Sequence, residues 1–223
     1  MKKDVISKIN CHNELLNTWE KNFPEDWHFN YDGVISNEDW NNSSTKVLFV
    51  LKETNRANQN IIDAINRALI TKESGWWKGK VLRRVGRWAY GLLNYENETP
   101  SFKDAKTNYK SFIKNIAYIN MKKSSGGSST KKKPFNSHVE EFAPFIRRQI
   151  ELINPDIVVL CGTYKQIKKN VFPELEKVSE RIHKYGNMIF INAFHPAARK
   201  GSSMLYYQVL DSFHKYKTKQ KSS

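Results

Sequence analysis

Four short apolar runs, rich in β-branched and aromatic residues, constrain the fold of this chain most strongly. They are 46–52 (KVLFVLK), 116–121 (IAYINM), 156–161 (DIVVLC) and 188–192 (MIFIN). Their hydrophobicity is continuous rather than alternating, which is typical of parallel strands covered on both faces. The sequence therefore predicts an α/β fold, a three-layer α/β/α sandwich around a four-stranded parallel sheet.

The segments between these runs have helical spacing. The clearest covers 137–153, where apolar residues recur at steps of three and four. Ser137 and Glu140 predict a capping box at its start, Pro144 predicts a kink inside it, and Asn154-Pro155 should end it. Further helices are predicted at 60–71, 79–94, 103–115, 163–171 and 203–216.

The length and the cysteine content indicate one soluble domain. A chain of 223 residues with 39% hydrophobic residues can bury a single core, so we expect one domain over 1–223 with a flexible basic tail at about 214–223. No apolar run approaches the roughly 20 residues that span a bilayer, and the first residues lack the apolar segment of a secretory signal. Cys11 and Cys161 form neither a disulfide framework nor a zinc motif. We expect a monomer in the reducing cytoplasm, without membrane association and without a bound metal.

The charge of the chain predicts a polyanionic partner. Its 37 Lys and Arg residues oppose 22 Asp and Glu residues, and the net charge of +15 favours nucleic acid. A proteome rich in Lys and Asn would raise the charge without any binding role, and this alternative stays open. The segment 122–133 (KKSSGGSSTKKK) directly follows a predicted strand and combines lysines, hydroxyl residues and glycines, so we interpret it as an unpacked loop that clamps phosphates. Its predicted DNA contacts are Lys122, Lys123, Ser124, Ser125, Lys131, Lys132 and Lys133.

Two of the predicted strands run into turns that carry a chemically useful side chain. Glu53 follows the first strand and His195 follows the fourth, about 140 residues later. Ligands of parallel α/β sheets lie at the carboxyl ends of the strands, so both side chains could face one pocket. Each also has a purely structural explanation, because Glu53 could cap a helix and His195 could be a buried core histidine.

Four segments together resemble the uracil-DNA glycosylase superfamily, and most closely its thermostable iron–sulfur branch. They are VLKETN (50–55), IAYINMKK (116–123), FIRRQIELINPDIVVLCG (145–162) and FHPAAR (194–199). The resemblance implies a four-stranded parallel sheet flanked by helices, and hydrolysis of the N-glycosidic bond of a base that is flipped out of DNA.

The resemblance also assigns roles to three residues. Glu53 would hold the attacking water and stabilise the cationic sugar. His195 would donate a hydrogen bond to the departing base, and one such donor contributes about 3–4 kcal/mol. Asn120, which ends the second strand, would read the edge of a pyrimidine through its amide.

The sequence departs from the iron–sulfur branch at the positions of its cluster. Ser124 and Phe142 stand where that branch has cysteines, and the N-terminus holds the single Cys11. Since a [4Fe–4S] cluster needs four thiolates, we expect no iron–sulfur cluster and no other cofactor.

The base pocket and the wedge that enters the DNA also differ from the family pattern. Lys52 replaces a glycine before the acid, and Thr54 and Asn55 replace Ala-Pro, so all three are candidate base contacts. Trp76 and Trp77 could stack on the base, or pack against helices. After the histidine motif, the family's leucine is replaced by Arg199, which could fill the gap left by a flipped base; Lys200 and Ser202 follow as candidate phosphate contacts.

These observations predict a monofunctional DNA glycosylase that leaves an abasic site. Its substrate would be uracil or a modified pyrimidine, including a hypermodified phage base such as glucosylated hydroxymethylcytosine, and its role would be DNA repair or antiviral defence. The alternative is a non-catalytic protein of the same fold that recognises a modified base or abasic DNA. An unrelated nucleotide-binding protein is disfavoured, since the chain has no GxGxxG or Walker-type glycine pattern.

Overall fold

A seven-stranded mixed sheet forms the centre of the molecule. The computed structural model describes residues 3–24, 27–55, 60–71, 79–127 and 130–221. The strands are β1 (Gly33–Val34), β2 (Val47–Leu51), β3 (Ile116–Asn120), β4 (Ile157–Cys161), β5 (Glu176–Lys177), β6 (Ile182–Tyr185) and β7 (Met188–Ala193). Their order across the sheet is β1-β3-β2-β4-β7-β6-β5.

The four strands predicted from the apolar runs are β2, β3, β4 and β7, and they are confirmed. They are adjacent and parallel to one another. The prediction of a four-stranded parallel sheet is nevertheless wrong, because β1 pairs antiparallel with β3, and β6 and β5 extend the other edge antiparallel to β7. These edge strands are two to four residues long, and β5 (EK) is exposed, so none has the continuous hydrophobicity of a strand buried on both faces.

Alternate residues of the central strands face two separate cores. Phe49 and Val159 belong to one core cluster, whereas Val50 and Leu160 belong to the other. Helices cover both faces of the sheet, which gives the three-layer arrangement. Cys161 is buried in β4.

The helices are α1 (Lys3–Ile6), α2 (His12–Lys21), α3 (Asn37–Asn42), α4 (Ile61–Thr71), α5 (Lys80–Leu93), α6 (Phe102–Asn108), α7 (Lys132–Glu141), α8 (Ala143–Ile153), α9 (Tyr164–Gln166) and α10 (Ser202–Lys221). Helices α4, α5, α6 and α10 pack on the first core, and α1, α2, α7 and α8 pack on the second. Among the helices of the described residues, none is long and apolar enough to cross a membrane.

The single helix predicted over 137–153 is two helices, α7 and α8, joined at Phe142. Pro144 lies in the first turn of α8, where a proline is tolerated because the N–H that it lacks has no partner within the helix. Ser137 lies inside α7 and caps nothing at its start, so the predicted capping box is wrong. Asn154 adopts a left-handed conformation with φ of 48° and ends α8 as predicted.

Two shorter segments and the C-terminal tail also differ from the prediction. The segment 103–115 contains α6 and a 3₁₀ turn (Ser111–Ile113), and 163–171 contains α9 and a π-helical turn (Ile167–Val171). The tail predicted to be flexible continues α10 as far as Lys221. Tyr216 extends the buried stripe of that helix one turn beyond Phe213, which explains why the basic segment stays helical.

Candidate functional site

A cavity of about 610 Å³ opens at the carboxyl ends of β2, β4 and β7. It is lined by Lys52, Thr130, Lys132, Phe135, Gly162, Tyr164, Lys165, Gln166, Arg181, Asn192, Ala193, Phe194, His195 and Ala198. This is the edge of the sheet at which parallel α/β proteins bind their ligands. The position of the pocket agrees with the expectation drawn from the strand order.

The hydrogen bonding and the burial of His195 define the protonation and the tautomer of its imidazole. Its Nδ1 accepts a hydrogen bond from the backbone N–H of Ala197 at 3.1 Å. Burial, with a smaller contribution from the positive charge of Lys52, lowers the pKa of His195 to about 4. The imidazole is therefore neutral at pH 7, and Nε2 carries its proton and can act as a donor.

The loop that carries His195 is held by a buried arginine that sequence reasoning missed. The guanidinium of Arg84, on α5, donates to the backbone carbonyls of Pro196 (2.6 Å), Ala198 (2.9 Å) and Lys200 (2.8 Å). Its Nε also donates to the Ser202 hydroxyl at 3.1 Å. Arg84 lies on the apolar face of α5. A charged residue is rarely buried without a partner, so an arginine at this position in the sequence could have indicated a buried contact of this kind.

Glu53 does not line the cavity. One of its carboxylate oxygens, Oε2, lies 3.0 Å from the Lys122 ammonium, and both side chains are nearly buried. The other oxygen, Oε1, has no hydrogen-bond partner among the described residues. Gly126 lies directly against the carboxyl group, where a Cβ atom would overlap it. The two side chains predicted to share one pocket are therefore separated. The His195 imidazole lines the cavity, whereas the Glu53 carboxylate lies outside its lining and is covered by the segment that follows β3.

Asn120, the predicted base-reading residue, is buried at the end of β3. Its backbone N–H donates to the Asp32 carboxylate at 2.7 Å. It does not line the cavity that contains His195. Nothing in the sequence pattern pointed to Asp32.

The start of the predicted phosphate-binding loop is packed structure, which corrects the prediction for three of its residues. The N–H groups of Met121 and Lys122 donate to the carbonyls of Leu51 and Lys52, so this segment continues the pairing of β3 with β2 beyond the strands. Lys122, Lys123 and Ser124 are consequently buried. A side chain that is buried in this way cannot contact a DNA phosphate.

Lys123 instead belongs to a buried polar network. Its ammonium lies 2.6 Å from the Asp32 carboxylate and donates to Gln149 Oε1 at 2.9 Å. Gln149 in turn donates to Asp32 at 2.9 Å. Burial lowers the pKa of Lys123, and the Asp32 charge opposes this shift. The network holds the chain segment that carries Asp32 against the end of β3.

The remaining candidate DNA contacts are on or near the surface. Lys131, Lys132, Lys133, Arg199 and Lys200 are exposed, and Lys132 lines the cavity.

Ser125 and Ser202, the other predicted phosphate contacts, are only half-buried. The Ser125 carbonyl accepts a hydrogen bond from Lys122, and Ser202 begins α10 and accepts from Arg84. The hydroxyl of Ser202 is therefore already engaged in holding its own loop.

The candidate base contacts beside Glu53 are divided. Lys52 lines the cavity, whereas Thr54 is half-buried with its carbonyl bonded to the Gly126 N–H, and Asn55 is exposed. Trp76 and Trp77 lie outside the described residues.

Phe142, which the sequence comparison aligned with a cysteine of the iron–sulfur branch, is part of an aromatic cluster. Its ring packs against Phe23, Trp19 and Phe145, and against the buried imidazole of His138. Within the described part of the chain, no group of three or more His, Cys, Asp or Glu side chains is arranged to hold a metal ion.

No protein-family model matches this chain, and no curated protein matches it significantly.

Proposed function

We propose that this protein is a DNA glycosylase that hydrolyses the N-glycosidic bond of a flipped-out base, with uracil or a modified pyrimidine as substrate. The observation that carries the proposal is the state of His195, a neutral imidazole with its proton on Nε2, in a cavity at the carboxyl edge of the parallel strands. The resemblance of four ordered segments to the uracil-DNA glycosylase superfamily supports the same reaction.

The bond between C1′ and the base nitrogen breaks heterolytically, and its electron pair leaves with the base. The Nε2–H of His195 donates to the negative charge that develops on the base, and a donor that is already oriented needs no rearrangement during the step. A neutral imidazole suits this role because it keeps its proton while the charge forms. Water adds its oxygen to C1′, and the base anion takes up a proton from solvent as it leaves.

Glu53 would act on the sugar side of the bond. Its Oε2 is engaged by Lys122, while Oε1 is free of partners in the described residues and can accept a hydrogen bond from the attacking water. The carboxylate would also stabilise the cationic sugar and accept the proton that the water loses. For this, the segment that includes Gly126 would have to move away from Glu53 when DNA binds.

The exposed cations around the cavity would bind the DNA backbone. Lys132 and Lys165 lie at its lining, and Lys131, Lys133, Arg199 and Lys200 are exposed on the segments that flank it. Backbone contacts of this kind would position the strand without reading its sequence.

The test is base release from a panel of single- and double-stranded DNAs that contain uracil, other deaminated bases or phage-type modified bases. Released bases are identified by mass spectrometry, and abasic sites by alkaline cleavage. We expect His195→Ala to lower the rate roughly 10²- to 10³-fold, the effect of removing one such donor. Glu53→Gln, which keeps the size of the side chain, should also lower the rate. Lys103→Met, at an exposed position of α6, is the control. Intact DNA across the whole panel would refute the proposal.

A second candidate function is non-catalytic recognition of a modified base or of abasic DNA. The observation that favours it is the position of Glu53, which is paired with Lys122 and does not line the cavity. This function predicts tight, salt-sensitive binding without base release, and binding that His195→Ala leaves unchanged.

A further inference from the structure

Among the described residues, the lining of the cavity is basic and contains no carboxylate. Four of these residues have cationic side chains, and none is an Asp or a Glu; the four are Lys52, Lys132, Lys165 and Arg181. The three lysines form no ion pair with any described residue. Such a cavity favours a ligand with negative charge and disfavours a cation.

Lys52 is distinguished from the other lysines by its position. It follows β2, His195 follows β7, and Gly162 follows β4, which lies between those two strands. Gly162 has a φ of 72°, and a Cβ atom there would come within 3.1 Å of the His195 Cβ atom. Because this middle position is a glycine, no side chain projects from it between the positions of Lys52 and His195. The positive charge of Lys52 acts on His195, since it contributes to the lowered pKa of the imidazole.

Lys132 and Lys165, by contrast, are exposed at the rim, and Arg181 is already engaged with the Asn192 carbonyl and with the ring of Phe194. Lys52 is therefore the cation best placed to contact a ligand group that also reaches His195.

We propose that the Lys52 ammonium is a second contact beside His195 and binds a negatively charged group of the base in this cavity. This inference rests on the proposed function and narrows its substrate class. The site would favour pyrimidines that carry an acidic substituent. It would reject alkylated purines, which are cationic, and it offers no carboxylic acid in the described lining that could protonate a purine before it leaves.

The first test measures binding of two free pyrimidines by isothermal titration calorimetry at pH 7. Uracil is neutral, and orotate is the same ring with a carboxylate. We expect orotate to bind the wild-type protein more tightly than uracil. Lys52→Met should weaken orotate binding roughly tenfold to a hundredfold, the usual effect of losing a charge-assisted hydrogen bond, and should change uracil binding much less. Lys52→Arg keeps the charge and should keep the preference, and Lys103→Met controls for the change in net charge.

Equal binding of orotate and uracil, or a preference that survives in Lys52→Met, would overturn the inference.

The second test compares base release from DNA containing uracil with release from DNA containing 7-methylguanine, and we expect release from the former alone. Release of 7-methylguanine at a comparable rate would also overturn it. A third outcome is a preference for orotate that depends on Lys52, without base release from any DNA. It would refute the glycosylase activity but support an anionic ligand for this cavity.

Discussion

At the scale of single residues, burial rather than residue type decides which charged groups are available for chemistry. Lys122 and Lys123 are adjacent in a lysine-rich segment, yet one holds Glu53 and the other is enclosed with Asp32. Lys52 lines the cavity with His195. The sequence indicated the positions of Glu53 and His195 at the ends of two strands. The sequence could not indicate that Lys122 would form an ion pair with Glu53, because that contact depends on how the segment after β3 folds back.

The first prediction concerns the protonation of His195. In a pH titration followed by NMR, with His195→Asn used to assign the signal, the imidazole should titrate near pH 4 rather than near 6.5. Lys52→Met should move the midpoint part of the way toward 6.5, since it removes the like charge but not the burial. A midpoint near 6.5 in the wild-type protein would contradict the environment described for this residue.

The same pKa makes the folding stability depend on pH. Between about pH 4 and 6.5 the unfolded chain binds a proton that the folded His195 does not, so stability should fall as the pH is lowered through this window. His138 acts in the same direction, since burial lowers its pKa to about 3.

The activity should also depend on pH. Base release should decline below about pH 4, because a protonated Nδ1 can no longer accept a hydrogen bond from the Ala197 N–H.

At the scale of secondary structure elements, the loop between β7 and α10 is shaped by a contact with α5. Arg84 supplies hydrogen bonds to three carbonyls of this loop and to the hydroxyl at the start of α10. The apolar runs predicted β7, and the histidine motif marked the loop. The contact itself joins residues more than 110 positions apart, so it follows only from the packing of α5 beside α10.

The second prediction is that Arg84→Met releases this loop. Hydrogen bonds to charged groups contribute about 1.5–3 kcal/mol each, so we expect a clear loss of stability in urea unfolding. Faster hydrogen exchange at the amides of Ala197 and Ala198 should accompany it, as should an upward shift of the His195 pKa toward its ordinary value.

Arg83→Met, one residue away on the same helix, is the matched control, because Arg83 Nε donates to the Gly79 carbonyl. If hydrogen exchange at the loop amides is equally fast in both variants, Arg84 has no special role in positioning the loop.

At the scale of the whole molecule, part of the net charge of +15 is carried by exposed lysines beside the cavity. Lysines of the same segment are buried at its start and exposed at 131–133, beside the cavity. A positive surface next to a ligand site attracts DNA over a distance set by the salt concentration.

The third prediction concerns the salt dependence of DNA binding. The logarithm of the association constant should fall linearly with the logarithm of the salt concentration. Replacing Lys131, Lys132 and Lys133 by Ser should reduce the slope by roughly 2 to 3, about 0.9 for each lost phosphate contact on duplex DNA. Fluorescence anisotropy with a labelled duplex measures this. The exposed lysines Lys103, Lys106 and Lys114, replaced together, provide a control with the same change in charge, and an equal loss of slope in both triple variants would rule out a localised contact.

The sequence by itself determined the central strands of this protein, the helices that cover them and the edge of the sheet at which a site should form. Those features depend on local hydrophobic patterns, which the central strands and most of the helices carry in their own residues. The tertiary structure alone decided the edge strands, the separation of Glu53 from the cavity, the burial of Lys123 and the Arg84 contacts. The edge strands are short and lack such a pattern. The other three depend on which distant segments come into contact, because the energies of ion pairs and hydrogen bonds are set by that contact and by the water it excludes.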